Sequence, residues 1–358
     1  MGRLTRYAAH GAKIAVGKRS NLPSYIILFV TSKCNSRCRH CFFWKDLNAQ
    51  KNELTLEEIR KLSSDLGEVS NLAVSGGEPT LRTDLPEICE LFHKNNKTNN
   101  IHIPTNGLSP NLIKSKIKEV LEKCDCRITV AISLDGLKET HDNIRGVKDN
   151  FESVLETYKE LLDLKKNHKN LKLMVNTVIS NKNYKEVVKL INFVKTNMPE
   201  LDGHGFDWIR GNPKDKEFGI PSLDEIKELL PMLKKTEETY LNKRKNLRDR
   251  LELGIRHYLS DLKYEIIKSN KQVIPCRAGD IFAVVYPQGD VALCELLPMI
   301  GNLREQDIKT VWNSEKAESQ RQHIKDKKCH CTHGCFQPTN VMLYPKAYPK
   351  ILKKLITN

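Results

Sequence analysis

Between Ser24 and Arg210, short apolar and β-branched runs alternate with amphipathic segments of helical period, and this alternation most constrains the fold. A strand reached from its predecessor through a helix runs parallel to it, so the pattern predicts a parallel sheet wound with crossover helices. Six runs carry it: Tyr25 to Val30, Leu72 to Ser75, Ile101 to Thr105, Ile128 to Ser133, Leu171 to Val178 and Phe206 to Ile209. The first crossover helix is well signalled, with Thr55 as N-cap, Glu58 completing a capping box and Leu54 placed to staple against Ile59. A second starts at Asp84 with Glu87 three residues on, and others run near Pro110 to Glu122, Phe151 to Leu164 and Tyr184 to Lys195. The fold class expected is α/β: a partial (β/α)6 TIM-like barrel, an incomplete relative of the barrel that ordinarily has eight strands.

The chain divides by composition. Residues 1–23 form a basic N-terminal segment, 24–215 the partial barrel, 216–270 a charged helical bridge, 271–340 a small cysteine-bearing α+β module, and 341–358 a basic tail. Within the module, Phe282 to Tyr286 and Val291 to Leu293 flank Pro287-Gln288-Gly289-Asp290, a turn sequence that predicts a hairpin. No window approaches the roughly 18 apolar residues of a membrane span, and Tyr25 to Val30 is too short for a signal peptide, so a soluble, cytoplasmic protein is expected. A net charge of +15 admits nucleic acid, an anionic membrane or an anionic substrate as partner, but the lysines are spread along most helices, as on a solvated surface.

Eleven cysteines in a large chain without an export signal point to metal binding or redox catalysis rather than disulfides. Cys34-x3-Cys38-x2-Cys41 directly follows the first strand, which puts three thiolates at the strand's C-terminal end, where barrel enzymes assemble their chemistry. Soft thiolates suit zinc or iron-sulfur clusters. Structural zinc wants four ligands, and apart from His40 nothing nearby completes a set. Three cysteines around a four-iron cube leave one iron open to an exogenous molecule.

With His40 before the last cysteine, where an aromatic residue is usual, this trio resembles the signature of the radical S-adenosylmethionine superfamily. The resemblance implies a 4Fe-4S cluster on Cys34, Cys38 and Cys41 whose open iron is chelated by the methionyl group of S-adenosylmethionine. Reductive cleavage there gives a 5'-deoxyadenosyl radical that abstracts hydrogen from a substrate. It also implies contacts to the cofactor. His40 is placed at the adenine. Ser75-Gly76-Gly77-Glu78-Pro79 resembles the family's GGE loop, its glycines allowing close backbone approach and Glu78 meeting the methionyl ammonium. Thr105-Asn106-Gly107 and Ser133-Leu134-Asp135-Gly136 end the third and fourth strands, with Ser133 placed for the ribose, and Arg145 corresponds to an arginine on the methionyl carboxylate. Asn176 either lines the same pocket or is satisfied by neighbouring backbone.

Near the C-terminus, Cys276 and Cys294 bracket the predicted hairpin with Gly289 between them, and Cys329-x-Cys331-x3-Cys335 follows. With Gly301-Asn302-Leu303 and Trp312, this group resembles the SPASM and twitch extensions of the same superfamily, which bind auxiliary 4Fe-4S clusters. Five cysteines imply one auxiliary cluster, with one cysteine spare or Cys329 and Cys331 competing for one position. Zinc in the same thiolates is the alternative. Cys89, on the apolar face of a helix, and Cys124 and Cys126, just before the fourth strand, read as buried small hydrophobes.

The implied activity is that of a radical oxidoreductase or modifying enzyme, supplied with electrons by a donor such as flavodoxin or ferredoxin. The auxiliary cluster would accept an electron from the substrate or anchor it. At the end of the sixth strand, Asp207 and Arg210 are candidates for gripping substrate and Trp208 for packing on it, or all are ordinary rim residues. The 23 residues before the first strand leave no room for a separate peptide-recognition domain, which favours a small molecule or lipid over the peptide of a ribosomal-peptide maturase. Arg3, Arg6, Lys13, Lys18 and Arg19 at one end and the lysines of Tyr344 to Leu355 at the other are expected either to give peripheral membrane contact or to dock on the protein itself. A zinc-dependent nucleic-acid-binding protein is the competing class. Against it, no aromatics interleave with a basic patch, and the loops at Gly76 and Ser133 would have no purpose.

Overall fold

All six anticipated strands form in the computed structural model, which describes residues 21–49, 52–241 and 247–356. The basic N-terminal segment and the first part of the Lys243 to Arg250 run lie outside the described residues. Strands β1 (Tyr25–Thr31), β2 (Asn71–Gly76), β3 (Asn100–Thr105), β4 (Arg127–Ser133), β5 (Leu171–Ile179) and β6 (Gly203–Trp208) pair in parallel in chain order. Between them run helices α1 (Leu56–Asp65), α2 (Leu85–Asn96), α3 (Pro110–Lys123), α4 (Lys138–Arg145), α5 (Asn150–Asn167) and α6 (Val187–Asn197). Strand β6 starts earlier than its apolar run because its ladder with β5 opens at Met174 and Gly203, in a Gly-His-Gly stretch with no strand pattern.

Local chemistry accounts for the start of the first crossover helix but not the second. At α1, Glu58 N–H donates to the Thr55 hydroxyl at 3.2 Å and Thr55 N–H to the Glu58 carboxylate at 2.8 Å, the expected capping box. Leu54 and Ile59 are buried in the same core. Asp84 sits at the N-cap of α2 without capping it, because Arg82 takes its carboxylate at 2.5 and 3.1 Å. Helix α4 was not anticipated: its eight residues are mostly polar, leaving little apolar period to read.

Burial alternates strictly along β5, and Leu171, Leu173 and Val175 join the core shared with the helices. The intervening Met174 and Asn176 therefore face the concave side of the sheet, as do Ala131 and Ser133 of β4 by register. This concave face is the lumen of an incomplete barrel. Val30, the residue before the end of β1, is skipped in the pairing with β2, a bulge at the point where the chain leaves the sheet.

After β6 come two long helices, α7 (Leu223–Leu241) and α8 (Leu247–Ser269), then β7 (Phe282–Val285), β8 (Asp290–Ala292) and β9 (Gly301–Asn302). The predicted hairpin forms between β7 and β8, with Gly289 at φ +91°, a conformation that favours glycine. The C-terminal strands are not a detached extension. Strand β7 pairs in parallel with β1, Tyr25 opposite Phe282 through Leu28 opposite Val285, so one sheet of nine strands runs β6-β5-β4-β3-β2-β1-β7-β8-β9. Pairing between strands some 250 residues apart leaves no local mark in a sequence.

Helices α9 (Ile308–Trp312), α10 (Glu315–Lys325), α11 (Phe336–Met342) and α12 (Tyr348–Ile356) complete the fold. Ala347 and Ile351 are fully buried in one cluster with Leu259, Leu262 and Ile266 of α8, so the apolar side of the tail docks on the protein itself. Among the described residues, no helix is long and apolar enough to cross a membrane.

Candidate active site

The loop leaving β1 carries Cys34, Cys38 and Cys41, and its shape is set by a ring of hydrogen bonds rather than by the cysteines. Asn48, at φ +56°, accepts from Cys34 N–H at 2.9 Å and donates to its carbonyl at 3.1 Å. Glu53 accepts from Ser32 N–H at 2.6 Å and from the Ser32 and Thr31 hydroxyls. From the far side, the end of α4 braces the loop. Arg37 and Arg39 N–H donate to the Arg145 and Ile144 carbonyls at 3.0 and 2.8 Å, and the Ser36 hydroxyl donates to Arg145 O at 3.1 Å.

All eleven cysteines are unbridged. Burial pushes the Cys34 thiol up to about 11 and the Cys41 thiol to about 12, so loading metal here must expel protons. Among the described residues, Asp142, Asp149 and Glu152 are the only group of three or more whose metal-ligand atoms all lie within 4.8 Å of one another.

The glycines of the β2 loop allow close approach of two backbones. A Cβ on Gly76 would lie 2.4 Å from Thr31 O, and one on Gly77 would lie 2.1 Å from Lys33 O. They let the β2 loop press against the cysteine loop, where Gly77 and Glu78 N–H donate to Thr31 and Lys33 carbonyls at 2.8 Å. The Glu78 carboxylate is buried, one oxygen accepting from the Thr80 hydroxyl at 2.7 Å and the other from Asn106 N–H at 2.7 Å, so it cross-links two loops. Burial holds its carboxyl above the usual range. Asn106 Nδ2 donates to Asn35 at 2.8 Å and lies 3.9 Å from Cys34 Sγ.

Asp135 and Arg145 form a buried ion pair at 2.6 Å, and Arg145 Nη1 reaches Cys38 Sγ at 3.7 Å. Asp135 also accepts from Val178 N–H at 2.9 Å and lies 3.8 Å from His40 Nε2. The Arg145 guanidinium thus sits on the thiols with its charge balanced from behind, and its Nε has no partner. Burial pulls His40 down to about 4, keeping the ring neutral, with Nδ1 unpartnered. His141 accepts from Asp135 N–H through Nδ1 at 3.1 Å, which fixes its proton on Nε2 facing Asn150 Oδ1 at 3.1 Å. Ser133 and Asn176 are register partners on the lumen face. Among the described residues, neither side chain has a hydrogen-bond partner.

At the end of β6, Trp208 is buried among Ile179, Val187, Ile226 and Leu229, on the helix side of the sheet, and is not available to substrate. Asp207 and Arg210 are already paired, Asp207 with Lys263 of α8 at 3.0 Å and Arg210 with Glu295 at 2.5 Å. His333 Nε2 shares the same Glu295 oxygen at 2.7 Å. Glu295 follows Cys294, and His333 lies between Cys331 and Cys335, so this bridge ties the barrel rim to the C-terminal cysteines. Arg210 also lies over the Phe42 ring at 5.0 Å, beside Cys41. Cys276, Cys294 and Cys331 lie in one another's electrostatic reach, Cys329 near Cys276 and Cys331, and Cys335 against Glu295 and Arg210. Burial raises all five thiols, Cys276 and Cys335 to about 12.

Sequence reasoning missed Asn48, Ser36, Glu53, Asp135 and Glu295 as site residues. Asp135 stood within a motif already singled out, but the others carry no spacing signal because their partners lie elsewhere in the chain or on the backbone.

Two family models match, the Radical SAM superfamily over residues 28–194 and an iron-sulfur cluster-binding domain over residues 276–336. The AdoMet-dependent heme synthase of Methanosarcina barkeri is 24% identical over 332 residues, covering 87% of this chain and 88% of that protein. The Fe-coproporphyrin III synthase of the same organism is 37% identical over 142 residues, 36% of this chain and only 34% of that protein. Among solved structures, SuiB of Streptococcus suis bound to S-adenosylmethionine superposes with a TM-score of 0.61 at 17% identity, covering 88% of this chain and 71% of that one, a likeness of fold. The three-cysteine loop at the head of the partial barrel lies in the first match and the five C-terminal cysteines in the second, so this chain is an enzyme of the radical SAM superfamily that carries a C-terminal iron-sulfur cluster-binding domain.

Proposed function

We propose that this enzyme cleaves S-adenosylmethionine at a 4Fe-4S cluster held by Cys34, Cys38 and Cys41 and uses the resulting radical to oxidise a small molecule. One auxiliary 4Fe-4S cluster would be held at the C-terminal cysteines. The observation that carries this reading is the pair of thiol groups joined by the β1–β7 pairing and bridged by Arg210, Glu295 and His333. When bound, the N-terminal cluster and S-adenosylmethionine supply the electron and the carbon–sulfur bond whose rupture yields the 5'-deoxyadenosyl radical.

The residues present fit these groups. Unpartnered Arg145 Nε is a donor for a carboxylate, neutral His40 offers a flat ring, and Ser133 and Asn176 present free polar groups to the lumen. Gly76, Gly77, Glu78 and Asn106 support them by fixing the loops. At the second site, Cys276, Cys294 and Cys331 are the core set, with the fourth ligand drawn from Cys329 or Cys335. An external reductant such as flavodoxin or ferredoxin would deliver the electron.

A compact substrate is supported by the lumen wall, lined by small groups at Ala73, Ser75, Ala131 and Gly205 and closed at one side by the Lys263–Asp207 pair. The near full-length likeness to a heme synthase supports the same choice. The fold shared with SuiB favours a peptide only by architecture. Anaerobic turnover with reductant and S-adenosylmethionine tests the proposal: 5'-deoxyadenosine release should be accelerated by a small-molecule panel and not by peptides. Acceleration by peptides alone would overturn it.

A further inference from the structure

The loop that bears Cys34, Cys38 and Cys41 turns a basic face outward at the head of the barrel. Residues 211–218, which follow β6, are hydrogen-bonded along it: Lys214 N–H donates to Cys41 O at 3.1 Å and Asp215 N–H to Arg39 O at 2.8 Å. Trp44, three residues past Cys41, joins the same seam by donating its indole N–H to Asn212 O at 3.2 Å. It is only half-buried, and the ammonium groups of Lys45 and Lys216 each lie 5.7 Å from its ring. Lys45, Lys214 and Lys216 are all exposed.

The charge of this face is not cancelled. Its carboxylates on residues 211–218 are already engaged, Asp215 by Arg39 at 2.6 Å and Glu217 by Lys182 at 2.9 Å. Among the described residues, Lys45, Lys214 and Lys216 have no carboxylate partner. Many other lysines meet one on a helix surface, as Lys94 meets Glu90 and Lys114 meets Glu160. Three unpaired ammonium groups around a half-exposed tryptophan depart from that pattern. An aliphatic group adjoins them: Leu296, 39% exposed, comes within 3.5 Å of where a Cβ on Gly211 would stand. An aromatic and aliphatic centre with a charged rim is how protein-docking surfaces are built.

We propose that this face, centred on Trp44 and rimmed by Lys45, Lys214 and Lys216, docks an acidic one-electron carrier protein; the inference rests on the reading of Cys34, Cys38 and Cys41 as cluster ligands. Electron transfer weakens steeply with distance, so the carrier must approach the cysteine loop, and this is the loop's exposed basic side. Ser133 and Asn176 face the lumen instead, so a carrier docked here does not compete with a substrate. In each encounter the carrier loses one electron, the loaded enzyme gains one, and no bond or proton changes place. Opposite charges speed such an encounter and lose their effect as salt rises, and a small face suits a transient complex. An acidic peptide substrate would feel the same charge, but it must reach the lumen, which these side chains do not line.

Oxidised flavodoxin is the probe, and its Kd for full-length, cluster-loaded enzyme is measured by calorimetry. For wild type the Kd should rise at least about tenfold between about 50 and about 300 mM salt. In the triple variant Lys45→Glu, Lys214→Glu, Lys216→Glu it should be at least about tenfold higher already at the lower salt, with little further change. Reversing Lys159, Lys189 and Lys227, exposed on α5, α6 and α7, should leave it within about twofold. Formation of 5'-deoxyadenosine driven by reduced flavodoxin should fall with the triple variant, whereas that driven by excess dithionite should stay within about twofold of wild type. Flavodoxin binding unchanged in the triple variant, or weakened equally by the remote reversal, would overturn the proposal. So would an acidic peptide whose binding the triple variant abolishes while flavodoxin binding is kept, which gives the face to substrate. Absence of dithionite-driven 5'-deoxyadenosine in wild type would instead strike the reading of the cysteine loop itself. Should the triple variant lose dithionite-driven cleavage through misfolding, Lys→Gln at the same three positions decides by the same Kd.

Discussion

Gly77→Ala is the sharpest perturbation of the cysteine loop, because nothing about the glycine's own conformation requires it. Its φ is not in the left-handed region, so the cost of a methyl group comes from space alone. The added Cβ would stand 2.1 Å from Lys33 O and 2.9 Å from Ser32 O, both backbone atoms that cannot rotate away. Carbon and oxygen need more than 3 Å, so the β1 loop must retreat by about 1 Å. That retreat strains the two 2.8 Å hydrogen bonds joining the loops, worth about 1 kcal/mol each, on top of an overpacking cost of about 1–3 kcal/mol. The total is about 3–5 kcal/mol, applied one residue before Cys34. Gly67→Ala is the control, since nothing lies within 4 Å of its Cβ position. The assay is iron per chain after anaerobic reconstitution together with 5'-deoxyadenosine formation. Gly77→Ala should lose most N-terminal iron and at least about tenfold in cleavage, with C-terminal iron and Gly67→Ala near wild type. Full iron and cleavage within about twofold would refute the claim that these glycines exist for loop contact.

Two further outcomes follow from the same geometry. Glu58 caps α1 and also pairs with Arg304 at 2.6 Å, which pulls its carboxyl down to about 2. Because the folded value is depressed, the contribution is present above the ordinary carboxylate value of about 4.5 and is lost as pH falls through about 2; Glu58→Gln should be less stable than wild type in urea denaturation at pH 6, and the gap should close only as pH falls below about 2. Arg321 is 2% exposed, donates to Gly279 O at 2.8 Å and Trp312 O at 2.5 Å, and lies over the Trp312 ring at 4.9 Å. Arg321→Ala leaves two buried carbonyls unpaired and should cost about 2–5 kcal/mol, read as a lower urea midpoint with loss of C-terminal iron before N-terminal iron.

The parts of the fold legible in the sequence are those written in local periodicity. Strands β1 to β5 fell within a residue or two of their apolar runs, and the capping box at Thr55 could be read directly because both halves lie three residues apart. What stayed hidden depends on partners distant in the chain. The β1–β7 pairing joins Tyr25 to Phe282, Asn48 acts through backbone groups of Cys34, and Glu53 acts through the Ser32 N–H and the Ser32 and Thr31 hydroxyls. Motif recognition located Gly77 and Glu78, but not their contacts to Lys33 and Asn106, which lie on loops distant in the chain. Trp208 failed for a simpler reason. One residue of register moves a strand side chain to the other face, and Asp207, not Trp208, faces the lumen.

The most direct test of the central claim is iron and S-adenosylmethionine cleavage measured side by side in wild type and in the triple variant Cys34→Ala, Cys38→Ala, Cys41→Ala, both purified anaerobically. Wild type should be brown, hold about eight irons for two four-iron clusters, and release 5'-deoxyadenosine on reduction; the triple variant should keep about four irons and release none. A colourless zinc-loaded wild type, or 5'-deoxyadenosine persisting in the triple variant, would contradict it.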